Sequence, residues 1–148
     1  MSPSIKKSHS VSELVYHLVC PVKYRRKVFT KDNETTLKDI CLELEKRHEL
    51  RFLEIGIDID HVHFLIQSIP NMCPSELANI VKGNISREFF KKHPEVKTFL
   101  WGGNFWTAGY YINTVGNANK SIVLNYVKNQ KLPEYKQLHQ STLTLFNP

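Results

Sequence analysis

Two histidines, His61 and His63, are the first residues of this sequence that could do chemistry. On a strand, residues two apart project from the same face, so both imidazoles would point the same way. Val62, Phe64 and Ile66 would then point the other way, toward a core. Two adjacent imidazoles suit a divalent metal ion. A polar pair on a half-exposed strand is the ordinary alternative, which an isolated His-Val-His does not exclude.

A second pair, Tyr126 and Gln130, has helical spacing. Side chains four residues apart lie on one face of a helix, which would place a phenol beside a carboxamide. The carboxamide oxygen can serve as a neutral metal ligand. The alternative is that Tyr126 continues a buried row begun by Ile122, while Gln130 is solvated.

Together the two pairs fit cleavage of a phosphodiester by a tyrosine. Two His and one Gln would supply three metal ligands and leave positions open for a phosphate oxygen and water. A free tyrosine has a pKa of about 10, and a nearby cation would favour its phenolate form. Attack by Tyr126 would leave a 5′-phosphotyrosine and a free 3′ hydroxyl, so that rejoining needs no ATP. The two pairs must face each other, but they need not come from the same chain.

The charge of the chain favours a polyanionic partner. The formal net charge is +6, and each phosphate that a basic side chain contacts releases condensed counterions. Basic residues follow the first predicted strand and occur on one predicted helix, where DNA phosphate binding and plain solvation are both open interpretations. The candidate DNA-binding residues are Lys23, Arg25, Arg26, Lys27, Lys82 and Arg87.

Asp60 directly precedes the histidine pair. Its carboxylate could orient an imidazole by accepting a hydrogen bond, although a role in the turn is the plainer interpretation. The glycine-rich stretch 96–108, predicted as a loop, holds Trp101, Phe105 and Trp106. These rings could stack unpaired bases, but we favour contacts in the core or in a dimer.

The elements that must position these residues follow from hydrophobic periodicity. Apolar or alternating runs predict strands at 11–20, 51–57, 61–67 and 110–115, with a turn at 58–60 between the middle two. Helical spacing predicts three helices: from a cap at Asp32 or Asn33 to about His48, from Pro74 to before Pro94, and from Asn117 or Asn119 to about Lys131.

This order predicts an α+β fold of the ferredoxin-like (split βαβ) type. Its four-stranded antiparallel sheet would carry two helices on one face, and a C-terminal helix would carry the nucleophile. The histidines would lie on the face that the first two helices leave open. We expect a basic, flexible N-terminal tail at 1–10, the catalytic domain at 11–132 and a C-terminal tail at 133–148.

The sequence also argues against several classes of protein. It has no apolar run near the roughly 20 residues that span a bilayer, and its first ten residues lack the apolar core of a secretory signal. Its three cysteines form no Cys-x-x-Cys pair, which favours neither a zinc site nor a disulfide framework. We therefore expect a cytoplasmic protein with buried or partly buried free thiols and no membrane partner.

The chain resembles the single-tyrosine HUH transposases of the insertion-sequence 200/605 family, the TnpA type. The resemblance covers residues from about 11 to 131. It rests on YHLV at 16–19, KYRRKV at 23–28, DHVHFLI at 60–66, VKGNISREFF at 81–90, LWGGNFWTAGYYINTVG at 100–116 and YVKNQ at 126–130.

The resemblance implies a role for each matching residue. His61 and His63 match the HUH pair, Tyr126 the nucleophile and Gln130 the third metal ligand. It further implies Mg²⁺ or Mn²⁺ as cofactor and single-stranded DNA with subterminal hairpins as substrate. The family also implies a homodimer in which the tyrosine helix of one subunit completes the metal site of the other.

Two other functions remain open at this level. The first is a non-catalytic nucleic-acid-binding module on the same split βαβ scaffold, since a fold alone does not define a function. The second is another HUH endonuclease, either a replication initiator or relaxase, or a domesticated transposase specific for palindromes.

Overall fold

The computed structural model describes residues 5–7, 10–12, 14–100, 103–116 and 120–129. In chain order its strands and helices are β1 (Ile5–Lys7), β2 (Ser10–Ser12), β3 (Leu14–Pro21), α1 (Lys31–Arg47), β4 (Arg51–Ile57), β5 (His61–Ser68), α2 (Pro74–Lys92), α3 (Pro94–Phe99), β6 (Tyr111–Thr114) and α4 (Lys120–Asn129).

The main sheet has the strand order β4-β5-β3-β6, and its neighbouring strands pair antiparallel. The first strand of this sheet, β3, thus lies beside the third, β5, while the second and fourth form the edges. This is the split βαβ arrangement, with α1 and α2 as the two crossover helices. The predicted fold class is confirmed.

The large core lies between the sheet and the two crossover helices. Alternate residues of the central strands, such as Leu18 and Phe64, join it from the sheet. Leu44 of α1 and Val81 of α2 join it from the helices, at positions that recur with helical spacing. The alternation leaves the other residues of β3 and β5 on the opposite face.

That opposite face is covered by α4. Val127 of α4 packs with Val15 of β3 and Leu65 of β5 in a second, smaller cluster. Leu53 joins this cluster because it alternates with Phe52, which packs on the large core. A bulge in β4, where the register shifts between Phe52 and Glu54, then returns Ile55 to the core side. The C-terminal helix therefore lies on the sheet face that was predicted to need cover.

The start of α1 corrects the predicted helix cap. Thr30, rather than Asp32 or Asn33, is the N-cap residue. Its hydroxyl accepts a hydrogen bond from the Asn33 backbone N–H, and the Asn33 carboxamide oxygen accepts one from the Thr30 N–H at 2.8 Å. This reciprocal capping box moves the first helical residue upstream of the predicted position.

Three elements, β1, β2 and α3, differ from the prediction. β1 lies within the segment predicted as a tail and pairs antiparallel with β2, which takes up the first residues of the strand predicted at 11–20. Backbone hydrogen bonds can join such strands without an apolar pattern. α3 occupies the start of the stretch predicted as a loop, where Pro94 sits in its first turn. The outer limits of the domain, 11–132, stay a prediction.

The cysteines are free, as expected, but they differ in exposure. Cys20 and Cys41 are buried in the large core, whereas Cys73 is exposed at the start of α2. Burial raises the pKa of Cys20 to about 12, which keeps this thiol protonated and inert. None of the helices in the described part of the chain combines the length and apolarity needed to cross a bilayer.

Candidate active site

β5 places His61 and His63 on the same face of the main sheet. Their ring centroids lie 5.0 Å apart, and both side chains are buried. Val62 and Phe64, which alternate with them, pack in the large core, whereas Leu65 packs against α4. The two imidazoles therefore lie side by side, as predicted, on the sheet face that α4 covers.

The carboxylate of Asp60 holds one of these rings. Its Oδ1 lies 2.8 Å from Nδ1 of His61 and accepts a hydrogen bond from Nη2 of Arg25 at 3.1 Å. Burial alone would raise the pKa of Asp60, but the hydrogen bonds from His61 and Arg25 outweigh it and lower the pKa to about 2. Such a charged carboxylate on Nδ1 fixes the orientation of a metal-binding imidazole. In the turn between β4 and β5, Asp58 accepts a hydrogen bond from the N–H of Ile59, and its Oδ2 lies 3.7 Å from Nε2 of His61.

Arg25 reaches this carboxylate because a short 3-10 turn at Lys23–Arg25 takes an unusual backbone path. Tyr24 and Arg25 have φ values of 59° and 53°, in the left-handed region that costs a non-glycine residue about 1–3 kcal/mol. The turn is held in place partly by the N–H of Lys23, which donates to the carbonyl of Phe105 at 2.9 Å. The turn directs Arg25 inward and leaves Tyr24 exposed.

His17 is a neighbour of the pair that the sequence-based reasoning missed. Its Nε2 lies 3.0 Å from Nδ1 of His63, and the two nearly parallel rings have their centroids 5.2 Å apart. Burial lowers the pKa of His17 to about 4, so its ring is neutral at pH 7. The alternation of β3 puts His17 on the same face as Val15, but only the pairing of β3 with β5 shows that it meets His63.

The helix that contains Tyr126 packs on the same sheet face as the histidines. Val127, the next residue of α4, is buried against β3 and β5. Ile122 is 42% exposed. It therefore does not begin a buried row, which the alternative interpretation of Tyr126 requires. The side chain of Tyr126 and the whole of Gln130 lie outside the described residues. Their predicted roles accordingly remain predictions.

The chemistry of the histidine pair fits a divalent cation. Each ring has its Nδ1 engaged, His61 by Asp60 and His63 by His17. Nε2 is then the nitrogen through which each ring would bind a metal, as in sites where an outer residue fixes the tautomer. Within the described residues, no group of three or more His, Cys, Asp or Glu side chains is placed to hold a metal ion. The pair is thus a partial ligand set.

The remaining basic candidates fall into two groups. Arg26, Lys27 and Arg87 are exposed, and Lys23 is partly exposed, as phosphate-binding side chains need to be. Lys82 is different, because its ammonium donates to the backbone carbonyls of three successive loop residues, Thr107, Ala108 and Gly109. Burial lowers its pKa. This geometry favours a structural role for Lys82, and its predicted DNA contact stays untested.

The aromatic loop belongs to the core. Phe105 and Trp106 are buried against the large core cluster, and the indole N–H of Trp106 donates to the carbonyl of Lys82 at 3.0 Å. The prediction of core contacts for these two rings, rather than base stacking, is confirmed. Trp101 lies outside the described residues.

Comparison with known proteins relates the whole chain, rather than the site alone, to a family. The sequence matches the family described as "Transposase IS200 like" over residues 10–130. It is 32% identical over 120 residues to the ISDra2 transposase TnpA of Deinococcus radiodurans, covering 81% of this chain and 86% of that protein. It is 30% identical over 123 residues to the transposase for insertion sequence element IS200 of Salmonella typhimurium, covering 83% and 80%.

Two solved structures of transposases are also similar to this chain in fold. A crystal structure of a candidate transposase from Deinococcus radiodurans R1 superimposes with a TM-score of 0.70 at 29% identity, covering 85% of this chain and 97% of that one. A REP-associated tyrosine transposase, solved bound to a REP hairpin, shares the fold with a TM-score of 0.57 at 12% identity, covering 86% and 70%. From the match to the family over most of its length and from these relatives, the chain belongs to the IS200-like transposase family.

Proposed function

We propose that this transposase cleaves and rejoins single-stranded DNA at insertion-sequence ends through attack of Tyr126 on a phosphodiester. The observation that carries the proposal is the buried pair His61 and His63, which lies on the sheet face where α4 packs. Because α4 contains Tyr126, the sequence supplies a nucleophile on the element that faces the two imidazoles. The match to transposases supplies the reaction class.

The proposed covalent step is a transesterification. The phenolic oxygen of Tyr126 forms a bond to phosphorus while the bond between phosphorus and the 3′ oxygen breaks. The phenol gives up its proton, and the departing 3′ oxygen takes one up. The products are a 5′-phosphotyrosine and a free 3′ hydroxyl. Attack by the 3′ hydroxyl of another strand end reverses the step and rejoins the DNA without ATP.

Three residues would hold the cofactor, Mg²⁺ or Mn²⁺: His61, His63 and Gln130. When bound, such a cation withdraws charge from the phosphodiester and stabilises the leaving oxygen. The chain itself contributes the geometry, because Asp60 orients the ring of His61 through Nδ1. Burial of both imidazoles keeps the site away from bulk water, where such electrostatic effects are weaker.

The proposed partners are single-stranded DNA with subterminal hairpins and a second copy of this chain. Exposed basic residues Arg26 and Lys27, next to the turn that supports the site, would bind the phosphates. In the homodimer, α4 of each subunit would complete the site of the other. The exchange would keep the contacts that Val127 makes here with its own sheet, since each sheet receives an identical helix.

The direct test is the covalent adduct. Single-stranded DNA carrying the short palindromes that flank the gene is incubated with the protein and Mn²⁺, then separated on a denaturing gel. Tyr126→Phe should abolish the protease-sensitive adduct while hairpin binding stays within about twofold, because only a hydroxyl is lost. The matched control is Tyr110→Phe, whose ring lies under the Lys82 ammonium at 5.3 Å and away from the proposed chemistry. It should form the adduct normally.

A chelator should stop cleavage by the wild-type protein, and His61→Ala should reproduce that loss in the presence of Mn²⁺. Retention of the adduct by Tyr126→Phe would show that the nucleophile is misassigned. If the wild-type protein binds the hairpin but does not cleave it with Mn²⁺ present, the result would instead support the non-catalytic binding module.

A further inference from the structure

The contact between His17 and His63 crosses the two central strands of the sheet. His63 pairs with Val19 and His17 pairs with Leu65, so the two imidazoles are diagonal neighbours on one face. Their rings are nearly parallel, with 16° between the planes. On its other side His17 meets the edge of the Tyr111 ring, with centroids 6.3 Å apart. His17 is thus held in one orientation between β5 and β6.

The position of the proton in the hydrogen bond between His17 and His63 determines whether Nε2 of His63 can bind a metal. A neutral imidazole has one N–H and one lone pair on its two nitrogens. If Nδ1 of His63 donates to Nε2 of His17, the lone pair of His63 lies on its Nε2. If the proton instead sits on Nε2 of His17, His63 accepts through Nδ1 and carries its own proton on Nε2, where no metal can then bind.

We propose that His17 is a positioning residue whose Nε2 accepts a hydrogen bond from the Nδ1–H group of His63, which leaves the Nε2 lone pair of His63 directed toward the divalent cation. This inference rests on the proposed function, because it assigns His17 a role in the same metal site. The matching contact at His61 supports it. There a carboxylate oxygen of Asp60 lies 2.8 Å from the same ring nitrogen, Nδ1, and the oxygens of a carboxylate accept hydrogen bonds.

Asp60 and His17 thus each orient one of the two adjacent imidazoles, His61 and His63, that would bind the metal. The carboxylate comes from the turn before β5, and the imidazole comes from β3. Because His63 is fully buried, its polar atoms need defined partners, and a lost partner leaves a donor unsatisfied at a cost of about 1–3 kcal/mol. A cation site built on a reoriented ring would be weaker.

The first experiment measures Mn²⁺ affinity without DNA, from the free Mn²⁺ signal in electron paramagnetic resonance. His17→Phe keeps an aromatic ring but removes the acceptor, and we expect it to weaken Mn²⁺ binding by about 10- to 100-fold. His17→Gln can place its Oε1 near the position of the imidazole Nε2, so it should restore most of the affinity. Thermal unfolding of each variant establishes that the comparison is made on folded protein.

The second experiment determines which ring nitrogen of His17 and of His63 carries the proton in the full-length, metal-free wild-type protein. Two-bond ¹H–¹⁵N correlation spectra of histidine-labelled protein distinguish the tautomers. We expect His63 to carry its proton on Nδ1 and His17 to present an unprotonated Nε2. A His63 protonated on Nε2 would overturn the inference, whatever the affinities of the variants.

The two experiments separate this inference from the proposed function. If wild type binds Mn²⁺, His63→Ala does not, and His17→Phe binds as wild type does, the metal site stands and the role of His17 is wrong. If His17→Gln binds Mn²⁺ as weakly as His17→Phe does, a hydrogen-bond acceptor at this position does not support the metal site, and the inference is again overturned. Failure of wild type itself to bind Mn²⁺ would reject both the metal site and the role of His17.

Discussion

An imidazole that binds a metal needs a second contact to fix its ring plane and its tautomer. The Asp60 contact could be anticipated, because the carboxylate is adjacent to His61 in the sequence. The contacts of His17 and Arg25 could not, because they depend on strand register and on a left-handed turn. Neither the register nor the turn produces a recognisable local sequence pattern. The basic residues around Arg25 indicated binding of DNA phosphates instead.

The two possible roles of Arg25 can be separated by mutation. Arg25→Gln removes the ion pair with Asp60, which lies behind His61. We expect Mn²⁺ affinity to fall by up to about tenfold, because the carboxylate loses the group that fixes it. Hairpin affinity should change little. Metal titration and hairpin binding at several salt concentrations measure the two effects.

Arg26→Gln is the matched control, since Arg26 is the adjacent residue and is exposed. It should leave Mn²⁺ affinity unchanged and reduce the salt dependence of DNA binding by about one phosphate contact. If Arg25→Gln instead behaves like Arg26→Gln in both assays, Arg25 binds phosphate and does not support the histidine.

At the level of elements, periodicity predicted the sheet and the main helices because burial imposes it. β5 is buried along its length, and α2 buries Leu77, Val81, Ile85 and Phe89 at steps of four residues. Features set by single hydrogen bonds were harder. The cap of α1, the bulge in β4 and the short helix α3 depend on local contacts that hydrophobic patterns do not encode.

The corrected cap gives a stability test at this scale. Thr30→Ala removes the hydroxyl that accepts the Asn33 N–H, and we expect the free energy of unfolding to fall by about 1 kcal/mol. Thr35→Ala, at an exposed position inside α1, should leave stability unchanged or raise it slightly, because Ala is the better helix former. Urea denaturation measures both, and equal effects of the two changes would contradict the capping box.

Over the whole molecule, the sheet buries both faces, one under α1 and α2 and the other under α4. The open face was predicted from the sequence, since both crossover helices of a split βαβ fold lie on the same face of the sheet. Whether α4 packs on its own subunit or on a partner was not predictable from residue patterns, because the same contacts form whether the helix belongs to the same or to the other subunit.

Mixing two inactive variants tests the proposed exchange of α4. Tyr126→Phe retains the histidine pair, and His61→Ala retains the tyrosine. If sites are completed in trans, each mixed dimer contains one intact site, and random mixing should restore roughly a quarter of wild-type cleavage. The gel assay for the covalent adduct measures it.

The control for mixing is each variant with itself, which should stay inactive. Absence of any recovery after dimers have exchanged subunits would place the tyrosine and the histidines of each site in one chain. That is the arrangement in which α4 is seen here, packed on its own sheet.

The left-handed backbone at Tyr24 and Arg25 has a consequence for how this protein can change. An unstrained turn at Lys23–Arg25 would remove the cost of the left-handed backbone, but it would withdraw the guanidinium from the Asp60 carboxylate that contacts His61. Under the proposed function, heat resistance and catalysis therefore make opposite demands on this turn. A lineage under selection for thermal tolerance would have to find its extra stability elsewhere in the fold, or accept a slower enzyme.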